Sequence, residues 1–460
     1  MARRRHRRRR GVLLVLVLAL VAGGYAAADA ADVVPGVLTT EPPIPEPAPF
    51  PEAAEVSSST HLPELDPDLP VPDPAQLEEL SAELVRDHRS GGDVGVVVRD
   101  ALTAEVLTDL GGQQARTPAS SLKLLTAVAA LDALGPARVL PTRAVAGDGD
   151  EVVLVGGGDI LLTAEEPATT EVVGRASLQD LARQTAAALE AEGTTEVRVA
   201  LDDTLFDGPL YAPGWGGIDY DYVMPIQPLA LNSGLRSSGG YEDDPALAAA
   251  RAFAGALEDQ GIDVTGEVTR AAADDGAAEL GVVESAPVRD VVGHMLSVSD
   301  NSVAEVLARL VAVADGEEAT FAGASRAVED RLAGLGIDTA QVTLADSSGL
   351  LIENQASAAV LAEVVALALD PDRPDLRGVV ADLPVAALQG TLSGRMHGPA
   401  AGVLRAKTGT LITAVSLTGV VQNSSGRLLV FSVVADEVSL GGVGPARAAI
   451  DEWAAALATT

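Results

Sequence analysis

The sequence predicts an α+β fold in which an antiparallel sheet flanked by helices is interrupted by a large inserted α/β domain. Three observations carry this. Near the C-terminus, strand-like runs at Val403–Thr408, Val415–Gln422 and Leu428–Ala435 precede a helix from about Ala446 to Leu457, the pattern of terminal antiparallel strands packed by a terminal helix. A helix–strand–strand–helix run opens the folded part near Gln76. Between the two, residues 140–286 alternate short strands with alanine-rich helices, as an insertion would. A length of 460 residues allows two or three domains, and 47% apolar with only 3% aromatic residues implies a core of Val, Leu and Ala.

From the N-terminus, seven arginines fall in the first ten residues, an apolar run spans Val12 to Ala22, and small residues end in Ala28-Asp29-Ala30. That is the build of a secretory signal peptide over residues 1–30. No charge interrupts Gly11 to Ala28, so an uncleaved membrane anchor is the alternative. Either way the chain is expected to be exported. Residues 31–75 are rich in Pro, Glu and small polar residues, as in Glu41-Pro42-Pro43-Ile44-Pro45-Glu46-Pro47, and read as a semi-extended linker, or as an acidic proline-rich binding motif.

The net charge is −35, and without residues 1–30 it becomes −41, from 24 basic and 65 acidic residues. Such a surface repels nucleic acid and suits a soluble exported protein. Cysteine is absent, which excludes disulfides, thiolate catalysis and Cys-ligated metals.

The catalytic domain is expected at 76–139 and 287–460. Gln76 to His88 has helical periodicity, Val94 to Arg99 reads as a strand, and Ala104 to Asp109 is its hairpin partner. Pro118 leads into Ser120, and Leu124, Ala127, Val128 and Leu131 then recur at helical spacing. Ser120 is thereby placed in the first turn of a helix, with Lys123 one turn later on the same face. Within the insertion, Glu151–Val155, Glu196–Leu201 and Asp263–Arg270 read as strands, and Leu178–Glu192 and Pro245–Gln260 as helices. The run Gly156-Gly157-Gly158-Asp159 lacks the glycine spacing and lysine of a phosphate-binding loop and reads as a tight turn. Beyond it, Val288 to Leu296 and Ser302 to Ala314 read as helices joined at Val298-Ser299-Asp300-Asn301.

Only two of the 31 basic residues are lysines, and each sits in a short motif: Ser120-Ser121-Leu122-Lys123 and Lys407-Thr408-Gly409. Arginine keeps its proton in proteins, whereas a lysine ammonium titrates once buried or set beside another cation. A chain that uses Arg elsewhere and keeps Lys at these two positions points to proton chemistry there. With Ser299-Asp300-Asn301 between them, the motifs form the S-x-x-K, S-D-N and K-T-G set that is the established signature of serine β-lactamases and penicillin-binding proteins.

The chemistry accounts for the residue types. Ser120 needs a base within hydrogen-bonding reach to become a nucleophile. Lys123 serves if its pKa is pulled down by desolvation and by Lys407. Lys407 and Thr408 would hold a substrate carboxylate along the Thr408-Gly409-Thr410 strand. Ser299 would relay a proton to the leaving amine, and Asn301 would hold a substrate amide. Backbone N–H groups of Ser120 and Thr410 would stabilise the oxyanion, each worth about 10²–10³ in rate. A Ser-His-Asp arrangement competes poorly, because His6 and His61 lie in the tail and linker, and His88, His294 and His397 sit in no nucleophile motif and read as structural. No metal or organic cofactor is expected.

The spacing narrows the family, since 179 positions separate Ser120 from Ser299. The chain resembles the class C low-molecular-mass penicillin-binding proteins, the D-alanyl-D-alanine carboxypeptidase/endopeptidase family, from about Gln76 to Leu457. The resemblance is carried by Pro118-Ala119-Ser120-Ser121-Leu122-Lys123-Leu124-Leu125-Thr126, Gly156-Gly157-Gly158-Asp159, Asp202-Asp203-Thr204-Leu205-Phe206, Ser299-Asp300-Asn301, Gly390-Thr391-Leu392 and Arg405-Ala406-Lys407-Thr408-Gly409-Thr410-Leu411. It implies a penicilloyl-serine-transferase (β-lactamase-like) domain whose five-stranded antiparallel sheet is flanked by helices. It implies removal of the terminal D-alanine from peptidoglycan stem peptides, with cleavage of cross-links as a further activity, and acylation of the same serine by β-lactam antibiotics. One segment departs from the family pattern: a D-G-S-G-L-S-R-like stretch is here Asp346-Ser347-Ser348-Gly349-Leu350-Leu351-Ile352-Glu353. The alternatives are a β-lactamase-like serine hydrolase and a catalytically inactive wall scaffold of the same fold.

Overall fold

The computed structural model describes residues 2–31, 33–34 and 66–460. The chain divides into two units, Met1–Glu64 and Leu65–Thr460. The first contains a helix, Ala2–Ala30. Among the described residues no helix is long and apolar enough to cross a membrane. Most of the stretch read as a linker lies outside the described residues.

The second unit is built on a five-stranded antiparallel sheet. Its strands are β1 (Asp93–Asp100), β2 (Val106–Leu110), β3 (Leu404–Thr410), β4 (Val415–Gln422) and β5 (Leu428–Asp436), in the order β3-β4-β5-β1-β2. Seven helices matter for the site: α1 (Pro74–Arg86), α2 (Lys123–Leu134), α3 (Val288–Val298), α4 (Asn301–Asp315), α5 (Phe321–Gly334), α6 (Ala358–Leu367) and α7 (Val443–Leu457). The first two strands of this unit and its last three thus share one five-stranded antiparallel sheet, as the family resemblance implied.

The central strands are apolar runs because both faces of the sheet are covered. Side chains alternate along a strand, so Phe431, Val433 and Ala435 of β5 join Leu77 and Leu84 of α1 and Trp453 and Leu457 of α7 in one core. Val430 and Val434 face the other way, into a core shared with Leu124 and Val128 of α2 and Leu361 of α6. Phe431 and Trp453 meet edge-on at 5.8 Å between ring centroids, a favoured aromatic geometry.

The insertion forms a mixed six-stranded sheet from Pro141–Ala146, Glu151–Val155, Glu196–Asp202, Asp263–Val264, Thr269–Arg270 and Glu279–Glu284. Helices Leu178–Ala191 and Pro245–Asp259 cover it, with Leu181, Leu189, Phe253 and Leu257 packed on Leu154 and Val199. The run Asp263–Arg270, expected as one strand, is two short strands. Both pair in parallel with Glu196–Asp202, and the chain leaves the sheet between them through the Thr265-Gly266 turn. Residues 205–242 behave unlike the rest of the insertion. They turn back onto the helices beside the five-stranded sheet, where Trp215, Val223, Met224 and Ile226, together with Ile160 and Leu161, share a core with Leu124, Leu296 and Leu307.

Candidate active site

Ser120 lies in a 3-10 turn, Ala119–Leu122, that runs into α2 at Lys123. Ser120 therefore sits in a 3-10 turn just before the α-helix and not in the first turn of the helix itself. The difference arises from packing, because the turn is pinned to the sheet. Ser416 of β4 donates its hydroxyl to Pro118 O at 2.6 Å and lies 2.7 Å from the Ser121 hydroxyl. A Cβ on Gly409 would fall 2.2 Å from Ser416 Oγ and 2.7 Å from Pro118 O. Glycine in the K-T-G motif is thus what lets β3 approach the turn that carries Ser120.

Lys123 is fully buried, and its Nζ has three acceptors: Ser120 Oγ at 3.1 Å, Asn301 Oδ1 at 2.6 Å and Ser348 O at 2.6 Å. Asn301 Nδ2 in turn donates to Tyr222 O at 2.9 Å. The ammonium can only donate, which fixes the Asn301 amide with its oxygen toward Lys123.

Ser348 belongs to the segment that departs from the family pattern, and Asp346 organises it. Asp346 Oδ1 accepts from the backbone N–H groups of Ser348 and Gly349 and from Asn354 Nδ2, while Oδ2 accepts from Leu351 N and, at 3.0 Å, from Trp215 Nε1. Glu305 Oε1 accepts from Ser347 N at 2.9 Å, and Thr126 donates to Ser347 O at 2.7 Å. The loop thereby presents one carbonyl to Lys123. Gly349, at φ +79°, has Ala119 O only 2.0 Å from where a Cβ would stand.

Ser299 occupies the left-handed region at φ 63°, between α3 and α4. Lys407, also fully buried, donates from Nζ to Ser299 Oγ at 2.9 Å and to Thr408 O at 2.8 Å. Thr408 donates its hydroxyl to Thr391 Oγ1 at 3.0 Å. Asp300 points away from Lys407: its Oδ1 caps α4 through Val303 N, and its Oδ2 accepts from Ser233 Oγ at 2.7 Å, with His294 Nε2 at 3.8 Å. Thr410 ends β3 and is exposed, next to the turn that carries Ser120. The residues singled out from sequence therefore lie around one point. His88 and His397 are exposed and take no part in these contacts, so neither is a packed structural group.

Burial lowers the Lys123 pKa to about 8, against the opposing pull of Asp346, Glu305 and Asp300. Lys407 is also held well below the usual lysine value, by burial and then by the Lys123 charge. The depression of Lys123 is thus a burial effect, and the mutual repulsion of the two cations bears mainly on Lys407. Burial, then Asp346, pushes the Glu305 carboxyl up to about 8. Burial would raise Asp300 too, but His294, Ser233 and Val303 N–H together hold it below the usual carboxylate value. Among the described residues no group of three or more metal-ligating side chains is placed to hold a metal ion.

Several groups at the site escaped the sequence reading: Trp215, Tyr222 and Ser233 from the insertion, and Glu305 and Asp346 beneath Lys123. Tyr222 and Ser348 act through backbone carbonyls, which no residue type marks. Asp346 carried a signal, as the first residue of the departing segment.

Comparison with known proteins places the chain in a family. The model of the D-Ala-D-Ala carboxypeptidase 3 (S13) family matches residues 76–242 and 236–457. A carboxypeptidase of Mycobacterium tuberculosis is 36% identical over 416 residues, covering 87% of this chain and 84% of that protein. Carboxypeptidase DacB of Mycolicibacterium smegmatis is 36% identical over 382 residues, covering 79% and 81%. Among solved structures, penicillin binding protein 4 (dacB) of Haemophilus influenzae shares the fold, with a TM-score of 0.69, 20% identity and coverage of 82% of this chain and 99% of its own. A further structure of that protein is a complex with a β-lactam.

Proposed function

This chain belongs to the D-Ala-D-Ala carboxypeptidase 3 (S13) family, and from that premise we infer how its residues carry out serine D-alanyl-D-alanine carboxypeptidase and endopeptidase chemistry on peptidoglycan stem peptides outside the cytoplasmic membrane. The observation that carries the reading is the 3.1 Å contact between Lys123 Nζ and Ser120 Oγ in a site where burial has lowered the lysine pKa.

Neutral Lys123 takes the Ser120 proton as Oγ attacks the carbonyl carbon of the penultimate D-alanine. The backbone N–H groups of Ser120 and Thr410 take the oxyanion. Collapse of the tetrahedral adduct breaks the C–N bond, and the proton reaches the leaving amine through Ser299, whose hydroxyl is bonded to Lys407. Lys407 and Thr408 hold the carboxylate of the leaving residue, and Asn301 and the Gly409 backbone orient the peptide. Water then attacks the acyl-serine, with Lys123 again accepting a proton. A β-lactam is an amide of the same reach and acylates Ser120 by the same first half-reaction.

The test is release of free D-alanine from a stem pentapeptide. The protein is expected to release it and the Ser120→Ala variant to lose at least about 10³-fold in kcat/KM. Undiminished release by Ser120→Ala would remove the assignment.

A further inference from the structure

A cleft of about 680 Å³ opens beside the reacting centre, between a loop of the insertion and α3. Thr170 and Arg175 line one wall, and His294, Ser297 and Gln389 the other. Along the chain its lining adjoins the catalytic motifs twice. Ser297 is two residues before Ser299, whose hydroxyl takes Lys407 Nζ. Gln389 is two residues before Thr391, whose hydroxyl accepts from Thr408. Ser297 and Gln389 belong to one packed wall, since a Cβ on Gly390 would fall 2.6 Å from Ser297 O.

Lys407 and Thr408 are the groups read above as holding the carboxylate of the residue that leaves. The side chain of that residue leaves from beside this carboxylate, in the part of the site that Ser297 and Gln389 adjoin along the chain. For D-alanine this is one methyl group, which needs no cleft. For a cross-link it is a second peptide strand, joined through the amine whose amide bond is cut. The cleft also holds a free acceptor: Asp382 lines it, half-buried, and its carboxylate takes no hydrogen bond or ion pair from the described residues. Burial, then the nearby Asp290 carboxylate, pushes the Asp382 carboxyl upward against the opposing pull of Arg405 and Arg289.

We propose that this cleft is the binding site for the second peptide strand of a cross-link. It rests on the reading of Ser120 as nucleophile and of Lys407 and Thr408 as the carboxylate site. The step is the same acyl transfer: the Ser120 ester forms, the amide C–N bond breaks, and the second strand departs through the cleft as the protonated amine. Water then regenerates the serine.

Thr170 and Gln389 are exposed and stand on opposite walls, so Thr170→Trp and Gln389→Trp would fill the cleft without disturbing the core. Each is expected to lower kcat/KM for a purified cross-linked dimer roughly tenfold or more, while D-alanine release from the monomeric pentapeptide and acylation by benzylpenicillin stay within about twofold. Asp382→Ala is expected to raise KM for the dimer alone. Equal losses on monomer and dimer, no loss on the dimer in either Trp variant, or an unsubstituted protein that cleaves monomer but no dimer would each overturn the proposal. Failure of the unsubstituted protein to release D-alanine and to take up penicillin would instead overturn the reading beneath it, and the cleft's role with it.

Discussion

Lys123 has three N–H bonds and three acceptors around it, and both protonation states fit that cage. The ammonium donates to Ser120, Asn301 and Ser348 O. The neutral amine keeps the last two and turns its lone pair to the Ser120 hydroxyl, the arrangement a general base requires. Arginine in its place keeps the charge but offers no lone pair, so Lys123→Arg is expected to lose about 10²–10⁴ in acylation rate, measured by benzylpenicillin uptake. This much was legible beforehand, because a chain with 29 arginines and two lysines marks where a titratable cation is needed. The source of the shift was only partly legible. Burial is a property of the packed site, whereas a second lysine can be counted in the sequence.

At the scale of elements, periodicity located β4 to the residue and β5 within one, because strands covered on both faces read as unbroken apolar runs. It misjudged the start of α2. The residues before Lys123 are compatible with helix, but Ser416 and the close approach of Gly409 hold them in a 3-10 turn. Contacts from a strand almost 300 positions away leave no mark on local pattern. The loop at 346–351 shows the same limit in reverse. Its sequence departs from the family pattern, yet its carbonyl at Ser348 takes Lys123 and its Asp346 accepts from Gly349 N.

At the scale of the whole molecule, the insertion is part of the catalytic centre. Its segment 205–242 supplies Tyr222 O to Asn301, Ser233 to Asp300 and Trp215 to Asp346. Arg309 of α4 fastens this segment: buried under Phe321 and Phe206, it donates to the carbonyls of Asp207, Pro209 and Ala319. Arg309→Ala leaves the Asp207 and Pro209 carbonyls without their donor, while Ala319 O keeps the Asp207 N–H, so a loss of stability on the order of 3 kcal/mol is expected in denaturant unfolding. Acylation should fall as well, because the Tyr222 and Trp215 contacts depend on the same segment. A variant as stable and as active as the parent would show that the insertion stands apart.

The most direct test of the central claim is the rate at which benzylpenicillin acylates the protein as a function of pH, followed by intact mass with the adduct mapped by peptide digestion. A lysine base with a pKa lowered to about 8 is neutral above that value and protonated below it. The rate should therefore climb as pH rises through about 8 and level off above, with a single long-lived adduct on Ser120. A rapidly vanishing adduct would mark a β-lactamase, and an adduct on another residue, or a rate flat across pH 6–10, would contradict Lys123 as the base that activates Ser120.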